Sequence, residues 1–302
     1  MPPRRFSVSV FMTPFETILT HPGGAHNDEF LACCVLLTVH PAPIVRREPT
    51  PDDLGTVTTC VVDVGARHEP GLNNFDHHQL PKDHPPTCSL SLVLQVLELY
   101  DDARRFCDWL ETTEWFDARG PIQTAAWLGL TTDTLARLNS PVNGALLRQF
   151  ALSTRLEPGQ PLWEIMRLIG SDIVGTIRTL RLRLDFIATH AEFWTVELAG
   201  RPAQILFLLR TQPLPDEPSF GIDRFIQGRG LVGEIVGIVS PDRRGSGYAL
   251  ERFRDNPRLN FTQIADRPGV HYAHARGFVA KTSVTDPAEL KLLLAAAAVA
   301  GA

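Results

Sequence analysis

The apolar positions in the first part of the chain form short continuous runs, and positions at helical spacing follow them. Three of the runs predict strands: FETILT at 15–20, PAPIVRRE at 41–48 and TTCVVDVG at 58–65. Continuous apolar runs of this length are typical of parallel strands that are buried on both faces. A helix with Asn27 as its N-cap is predicted after the first strand, and helical spacing prevails from Cys88 to about Arg155.

The second part of the chain changes from a helical period to a strand period. Residues 161–193 have apolar positions at helical spacing, which predicts one long helix or two shorter ones broken near Gly170. Four strands are predicted beyond it: EFWTVELAG at 192–200, RPAQILFLLR at 201–210, LVGEIVGIVS at 231–240 and GYALERF at 247–253. The apolar stretch LKLLLAAAAVAGA predicts a terminal helix that packs on this part of the chain.

Together these patterns predict an α/β protein of two domains joined by a helix. The N-terminal domain, residues 1–160, is expected to have a mainly parallel sheet flanked by helices. Residues 161–193 are expected to form the linker helix, and residues 194–302 a smaller C-terminal α+β domain. A length near twice that of a common domain agrees with this division.

Composition adds an asymmetry to this picture. The chain has 302 residues, of which 44% are apolar, enough for a core in each domain, so collagen-like, disordered and miniprotein classes are excluded. The formal net charge of −5 argues against a wholly basic nucleic-acid coat. Residues 1–150 carry 11 basic and 18 acidic side chains, whereas residues 151–302 carry 18 and 16, and seven of the ten histidines lie in the first 84 residues. An acidic, histidine-rich N-terminal half is typical of a cation site.

The five cysteines are odd in number and include no C-x-x-C pair. This favours buried thiols in a reducing compartment, so we expect a cytoplasmic protein. We expect no export signal, because the N-terminal stretch has no long apolar run. The terminal apolar stretch is shorter than the roughly 20 residues that a membrane span needs, so no membrane partner is expected.

Three polar clusters fall at the C-terminal ends of predicted strands or in the loops beyond them, where parallel sheets bind ligands. They are the loop from His21 through His26 to Asp28, then Asp63, and then the run Asp76-His77-His78. Mixed imidazole and carboxylate sets suit divalent Mn, Fe, Zn or Mg. One carboxylate can bridge two cations roughly 3.5–4 Å apart, and Asp63 is placed for that role. Four other histidines are expected to be ordinary surface residues: His40, His68, His84 and His190.

A single His-His pair, or one Asp after a strand, is usually structural, so the case rests on the three clusters occurring in one domain. Their order, THPGGAHNDE, VVDVG and FDHHQ, resembles the DHH phosphoesterase superfamily, and most resembles its Myg-type branch of metal-dependent hydrolases and RNA exonucleases. Weaker likenesses follow at Pro241-Asp242 and in the H-x-x-GF segment at 274–278. The resemblance covers nearly the whole chain and implies a DHH-like N-terminal domain.

The resemblance also implies roles for particular residues. One metal would be held by His21, His26 and Asp63, and a second by Asp28, Asp63 and His77. His78 would face the substrate phosphate, and Asp76 would orient a histidine. A last ligand is expected from the helical stretch that follows, where Asp117 is our choice and Glu114 and Asp108 are the alternatives. The chain has Asp117-Ala-Arg-Gly120 where the family has D-N-G.

The basic residues of the second domain concentrate between Arg243 and Lys281, where eight basic side chains accompany three acidic ones. Such a run can be a solvated face or a surface for a phosphate-rich ligand. In the superfamily the C-terminal domain closes over the metals and contacts substrate. The resemblance therefore favours Arg252, His274 and Arg276 as substrate-binding residues, since arginine can grip phosphate with two hydrogen bonds.

Two glycine-containing segments of this domain affect which substrate contacts are expected. The segment GRGLVG at 228–233 lacks the lysine of a phosphate-binding loop, so a turn before a strand is predicted. The chain has Gly277-Phe-Val-Ala-Lys281 where the family has GF-x-GG, which removes a close backbone approach and alters the expected substrate contacts.

These observations predict a metal-dependent hydrolase with Asp63, His78 and Asp76 as its catalytic residues. It would use two Mn²⁺ ions, with Mg²⁺, Zn²⁺ or Fe²⁺ as alternatives, to cleave phosphodiester bonds of RNA, oligonucleotides or nucleotides between its domains. The alternatives are a pyrophosphatase-like or phosphomonoesterase enzyme for small molecules, and a non-catalytic metal- or nucleotide-binding protein of the same fold. The expected partner is a phosphate-containing nucleic acid or nucleotide, and a homodimer is left open.

Overall fold

The structure is a computed structural model that describes residues 12–212 and 221–301. The chain divides into two compact units that meet between Arg178 and Thr179. Each unit contains a six-stranded sheet accompanied by helices, so the mixed α/β class predicted from the sequence is confirmed. The boundary falls inside the helix that was predicted to link the domains. Within the described ranges, no helix is both long enough and apolar enough to cross a membrane.

The sheet of the first unit has the strand order β4-β5-β3-β1-β2-β6. Its strands are β1 (Thr17–Thr20), β2 (Ile44–Arg46), β3 (Thr59–Val62), β4 (His68–Glu69), β5 (Asn74–Phe75) and β6 (Arg155–Leu156). The four central strands are parallel, and the two edge strands are antiparallel to their neighbours. Because β1, β3 and β5 run in the same direction, the loops that follow them leave from one edge of the sheet.

Eight α-helices begin among the described residues of the first unit, 12–178. They are α1 (Asn27–Val39), α2 (Pro51–Gly55), α3 (Ser89–Val96), α4 (Tyr100–Phe106), α5 (Asp108–Trp127), α6 (Thr132–Arg137), α7 (Pro141–Leu152) and α8 (Pro161–His190). The predicted N-cap of α1 was wrong by one residue, because His26 is the N-cap and Asn27 is the first helical residue. Helix α5 is kinked at Gly120, which has φ 75° and ψ 170° and precedes Pro121. A glycine tolerates this conformation and a proline starts the helix that follows.

Helix α8 is continuous, with no break near Gly170. This glycine instead allows α8 to approach α1 closely, because a Cβ there would overlap the backbone carbonyl of Cys34. The helix ends at His190, three residues before the predicted end at Phe193. The residues from Ala191 onward instead pair with β8 as a strand, and their burial alternates from Trp194.

The second unit has a sheet with the strand order β11-β12-β10-β9-β8-β7. Its strands are β7 (Ala191–Leu198), β8 (Arg201–Leu208), β9 (Ile235–Pro241), β10 (Tyr248–Arg252), β11 (Val270–Ala273) and β12 (Val279–Thr282). Among these described strands, β8 and β9 pair in parallel and the other neighbours pair antiparallel. Its helices are α9 (Ile222–Gly228) and α10 (Pro287–Ala296). Helix α10 is the predicted terminal helix, and its buried leucines join the core of this unit.

Candidate metal centre

The loop between β1 and α1 begins the centre, and its shape depends on a buried arginine. Arg46, the last residue of β2, donates to the backbone oxygens of Gly23 and Gly24 at 3.3 and 2.9 Å and to Glu29 Oε1 at 3.3 Å. Glu29 Oε2 in turn lies 2.6 Å from His21 Nε2. The loop that carries His21 is therefore closed around one buried ion pair.

Asp63 directly follows β3 and has an unusual backbone conformation. Its φ of 60° lies in the left-handed region, which non-glycine residues adopt at an energetic cost. The conformation is held by a backbone bond from its N–H to the oxygen of Phe75 at 3.0 Å. The residue is 2% exposed, and its carboxylate accepts a hydrogen bond from Ser89 Oγ at 2.7 Å. This carboxylate is thus buried and fixed at the sheet edge.

Imidazoles and carboxylates from three other segments surround Asp63. His21 Nε2 lies 3.6 Å from Asp63 Oδ2, and His77 Nε2 lies 3.2 Å from Asp63 Oδ1. Asp117, on α5, brings its Oδ2 to 2.7 Å from His77 Nε2. Asp28, in the first turn of α1, is completely buried and accepts a bond from the Ser89 N–H at 3.3 Å. These segments are far apart in sequence, yet their polar atoms converge.

Two groups of these residues have the geometry of metal-ligand sets. One consists of His21, His26 and Asp63, and the other of Asp28, Asp63, His77 and Asp117. In each group one candidate ligand atom per residue lies within 4.8 Å of all the others. Their members are those that the resemblance assigns to two metals, and Asp63 belongs to both. His26 is the most exposed member, at 62% of its side chain.

Unpartnered buried atoms indicate that the centre fits cations. Four buried atoms there have no hydrogen-bond partner within the described residues: Asp28 Oδ1, Asp63 Oδ2, His77 Nε2 and Asp117 Oδ2. The last two lie close to each other without the geometry of a hydrogen bond. Leaving such atoms unpaired in the interior is costly, whereas a divalent cation would satisfy several of them at once.

The charges at the centre also depend on one another. Burial and the carboxylates of Asp63 and Asp117 raise the pKa of Asp28 well above its usual range. Burial lowers the pKa of His77, but its contacts with Asp117 and Asp63 outweigh that effect and raise the pKa to about 10. Burial also opposes ionisation of Asp63, yet its contacts with His21 and His77 lower its pKa. Protons on Asp28 and His77 therefore offset part of the negative charge of these carboxylates. Bound cations would offset the same negative charge.

Asp76 and His78, the neighbours of His77 in the FDHHQ segment, lie beside the two ligand groups. Asp76 is buried and accepts bonds from the backbone N–H groups of Ala66 at 2.6 Å and His78 at 3.0 Å. It also holds His78 Nδ1 at 2.7 Å, while the ring of His78 is 60% exposed. Asp63, Asp76, His77 and His78 form a third group with ligand spacing. Asp76 therefore binds three donors, one of which is the ring of His78.

The structure distinguishes the three carboxylates considered for the last ligand. Only Asp117 joins the centre, through His77. Glu114 is buried elsewhere and accepts bonds from Ser91, Tyr100 and Arg104. Asp108 is exposed at the first residue of α5. The four histidines set aside from the sequence belong to none of the ligand groups of the described residues: His40, His68, His84 and His190.

The substrate-binding residues predicted from the basic stretch lie in the second unit. Arg252 ends β10, lines a cavity of about 310 Å³ and binds Asp255 at 2.9 Å. His274 and Arg276 lie in the turn between β11 and β12. Lys281 binds Asp242 Oδ1 at 2.7 Å, so its charge is already compensated. None of these contacts tests the three residues as substrate ligands, so their predicted role stays a prediction.

Sequence reasoning missed three residues that support the centre: Glu29, Arg46 and Ser89. Glu29 adjoins the predicted ligand Asp28, and a carboxylate beside a ligand is a usable signal. Arg46 lies inside the strand predicted at 41–48, but nothing in the sequence marks it as buried. Ser89 lies at the start of a helix, a position at which serine is common for other reasons.

The chain is similar to known proteins over the segment that forms this centre. The family model MYG1_exonuc, described as an uncharacterised protein family (UPF0160), matches residues 17–89. The human protein MYG1 exonuclease is 40% identical over 82 residues, which are 26% of this chain and 21% of that protein. Every residue of the two ligand groups except Asp117 lies between 17 and 89.

A solved structure covers more of the chain at lower similarity. It is described as the DHH domain of a member of a family of ribosomal proteins, and the alignment covers 93% of this chain and 85% of that one. The identity is 12% and the TM-score is 0.31. A TM-score of this size does not establish a common fold, so the fold above stands on this chain alone.

Proposed function

We propose that this chain is a metal-dependent phosphoesterase of the DHH/Myg type, because residues 17–89 match the MYG1_exonuc family model and human MYG1 exonuclease is 40% identical over 82 residues. It uses two divalent cations, with Mn²⁺ as the first choice and Mg²⁺, Zn²⁺ or Fe²⁺ as alternatives, to hydrolyse phosphodiester bonds. The substrate class is RNA, oligonucleotides or nucleotides, in keeping with the relative that is named an exonuclease.

The observation that carries the proposal is the sharing of Asp63 by two groups of ligand atoms. His21 and His26 would hold the first cation with Asp63, while Asp28, His77 and Asp117 would hold the second. A cation pair of this kind activates water and stabilises the charge that develops on phosphoryl oxygens. The mixture of nitrogen and carboxylate donors suits borderline cations better than calcium, which prefers oxygen alone.

The residues around the centre have defined tasks in this proposal. The hydrogen bond that His78 donates to the Asp76 carboxylate raises the pKa of His78, although burial opposes this rise. Because His78 Nδ1 is bound to Asp76, its Nε2 is left to donate to a phosphate oxygen of the substrate. Ser89 and Arg46 keep Asp63 and the loop with His21 in place. We thus assign phosphate binding and proton donation to His78, whose ring is oriented by its hydrogen bond to Asp76.

The test is hydrolysis of a 5′-labelled oligoribonucleotide, and of a generic phosphodiester, by the purified chain with added Mn²⁺. We expect turnover that EDTA abolishes and Mn²⁺ restores. Asp63→Asn removes the shared ligand charge and should abolish turnover. Asp52→Asn is the matched control, because it makes the same chemical change at an exposed position of α2 and should leave turnover unchanged.

Calorimetric titration with Mn²⁺ separates the alternatives. Two bound ions together with no turnover on any phosphodiester would contradict the enzymatic proposal and leave a metal-binding protein. Turnover of pyrophosphate or a phosphomonoester, but of no diester, would move the assignment to a small-molecule phosphatase.

We also assign the chain to the cytoplasm. All five cysteines lie in the described part of the chain as buried thiols. Burial raises the pKa of the Cys33, Cys34 and Cys88 thiols well above their usual range, which keeps them protonated and unreactive. Such thiols persist in a reducing compartment.

A further inference from the structure

Three aromatic rings, two of them exposed and that of His274 half-buried, lie near one another at one edge of the second unit's sheet. The ring of His274 lies 4.0 Å from that of Phe278 and 6.5 Å from that of Tyr272, measured between centroids. Tyr272 is 44% exposed and Phe278 is 38% exposed, and neither belongs to a core cluster of this unit. Strand β11, which carries Tyr272, is the outermost strand of the sheet.

The backbone keeps the cluster in one arrangement. Tyr272 pairs with Lys281 across β11 and β12, and a register shift between Val270 and Tyr272 marks a bulge there. The Arg276 N–H donates to His274 Nδ1 at 3.1 Å, which fixes the ring of His274 in the turn. The oxygen of Phe278 accepts a bond from the N–H of Arg252 at 2.9 Å. The rings therefore project from a hydrogen-bonded hairpin rather than from a long loop.

An uncompensated positive charge lies beside the rings. Three of the eight cations of the basic stretch form ion pairs with carboxylates: Arg252 with Asp255, Arg254 with Asp223, and Lys281 with Asp242. Arg276 is exposed, and its guanidinium has no ion-pair partner among residues 12–212 and 221–301. It lies two residues from both His274 and Phe278 in sequence. Exposed rings and an unpaired guanidinium thus occur together at the tip of one hairpin.

We infer that Tyr272, His274 and Phe278, together with Arg276, form a binding surface for single-stranded nucleic acid on which unpaired bases stack. Aromatic rings beside a cation are the combination that binds single strands, because each base offers a flat face and each linkage a negative phosphate. A protein partner would need a larger apolar area than these separated rings offer. The choice of ligand rests on the proposed function, but the binding needs no metal.

The experiment measures binding of a short labelled oligouridylate and a short labelled oligothymidylate to the full chain in EDTA, by fluorescence anisotropy. Phe278→Ala and Tyr272→Ala should each weaken binding by about tenfold, the loss typical for one stacked base. Phe278→Trp should retain binding, whereas Phe278→Leu should not, since a leucine keeps the apolar volume but offers no ring. Arg276→Ala should make the oligonucleotide binding constant less dependent on salt concentration, by the amount expected for the loss of about one phosphate contact.

Phe193→Ala is the matched control. Phe193 is 39% exposed on β7, at the opposite edge of the same sheet, and the variant should bind both oligonucleotides as the parent does. Equal losses in Phe193→Ala and Phe278→Ala, full binding by Phe278→Leu, or no binding by the parent chain would each overturn the inference. These outcomes are independent of the proposed function, because binding is read in EDTA whereas hydrolysis of a generic phosphodiester reports on the metal centre alone.

Discussion

Ser89 makes two hydrogen bonds to two different carboxylates of the candidate metal centre. Its hydroxyl donates to Asp63 Oδ1 at 2.7 Å, and its backbone N–H donates to Asp28 Oδ2 at 3.3 Å. Each carboxylate keeps its other oxygen, Asp63 Oδ2 and Asp28 Oδ1, without a hydrogen-bond partner in the described chain. Ser89 thereby determines which oxygen of each carboxylate is left for a cation.

We predict that Ser89→Ala weakens binding of Mn²⁺ by about 10- to 100-fold, the usual effect of removing a group that orients a metal ligand. The hydroxyl fixes the rotation of the Asp63 carboxylate, and its loss lets that carboxylate turn away. Isothermal titration calorimetry of the purified chain measures the affinity directly.

Ser91→Ala is the control for this prediction. Ser91 is as buried as Ser89, lies on the same helix and also donates to a carboxylate, that of Glu114 at 2.7 Å. Glu114 is outside the ligand groups, so Ser91→Ala should leave the affinity for Mn²⁺ unchanged. Similar affinity losses in both variants would show that damage to α3, rather than the orientation of Asp63, is responsible.

The sequence predicts much of the centre because its ligands follow strands. Parallel strands end at a common edge, so His21 after β1 and Asp63 after β3 meet there. His77 joins them after β5, a strand that the sequence does not predict. The choice between Asp117 and Glu114 could not be made in this way. Both lie on α5 one turn apart, and only the packing of Glu114 against Ser91 and its neighbours separates them.

Two short strands and the end of α8 could not be predicted from the sequence either. Strands β4 and β5 have two residues each, which is too short for any periodic pattern. The end of α8 was misplaced because Ala191 and Phe193 fit a helical as well as a strand period. The burial of alternate residues from Trp194 onward distinguishes a strand from a helix here, but burial is known only from the folded chain.

Arg46 and Arg47 provide a comparison of buried and exposed arginines that are adjacent in sequence. Arg46 is 4% exposed, binds Glu29 and the Phe150 oxygen, and lies 4.5 Å above the Phe150 ring. We predict that Arg46→Ala lowers the free energy of unfolding by about 3–5 kcal/mol, because it leaves the buried Glu29 carboxylate uncompensated. Urea denaturation followed by circular dichroism measures the loss.

The adjacent substitution Arg47→Ala removes a side chain that is 47% exposed and paired with Asp53. Its cost should be below about 1 kcal/mol, as for most exposed ion pairs. The double variant Arg46→Met/Glu29→Gln should be more stable than Arg46→Ala, since no unpaired charge remains. Equal stabilities for Arg46→Ala and Arg47→Ala would refute the role given to the buried pair.

Two glycines of α8 should respond in opposite ways to alanine. A Cβ at Gly170 would overlap the Cys34 carbonyl, so Gly170→Ala is expected to destabilise the chain by about 1–3 kcal/mol. A Cβ at Gly175 would meet nothing within 4 Å, so Gly175→Ala should be neutral or stabilise the helix by up to about 1 kcal/mol. Thermal unfolding of both variants tests the pair, and a Gly170→Ala chain as stable as Gly175→Ala would refute the close contact.

Asp53 should make the stability of the first unit dependent on acid pH. It binds Arg47 at 2.7 Å and accepts bonds from the N–H and hydroxyl of Thr50 at the start of α2. The bond to Arg47 is the largest cause of a lowered pKa for Asp53, and burial opposes it only in part. A lowered pKa in the folded state means that the folded chain holds this proton more weakly than the unfolded chain does.

The sign of the effect follows from that difference. The stabilisation by Asp53 is fully present above the unfolded pKa of about 3.9 and is lost as the pH falls below it. Asp53→Asn should therefore cost about 1 kcal/mol at neutral pH, after allowance for the exposure of Arg47, and progressively less below about pH 4. Urea denaturation of the parent, Asp53→Asn and the control Asp52→Asn between neutral and acid pH measures this difference. A difference between the parent and Asp53→Asn that stays constant with pH would mean that the lost hydrogen bonds, and not the charge, account for the effect.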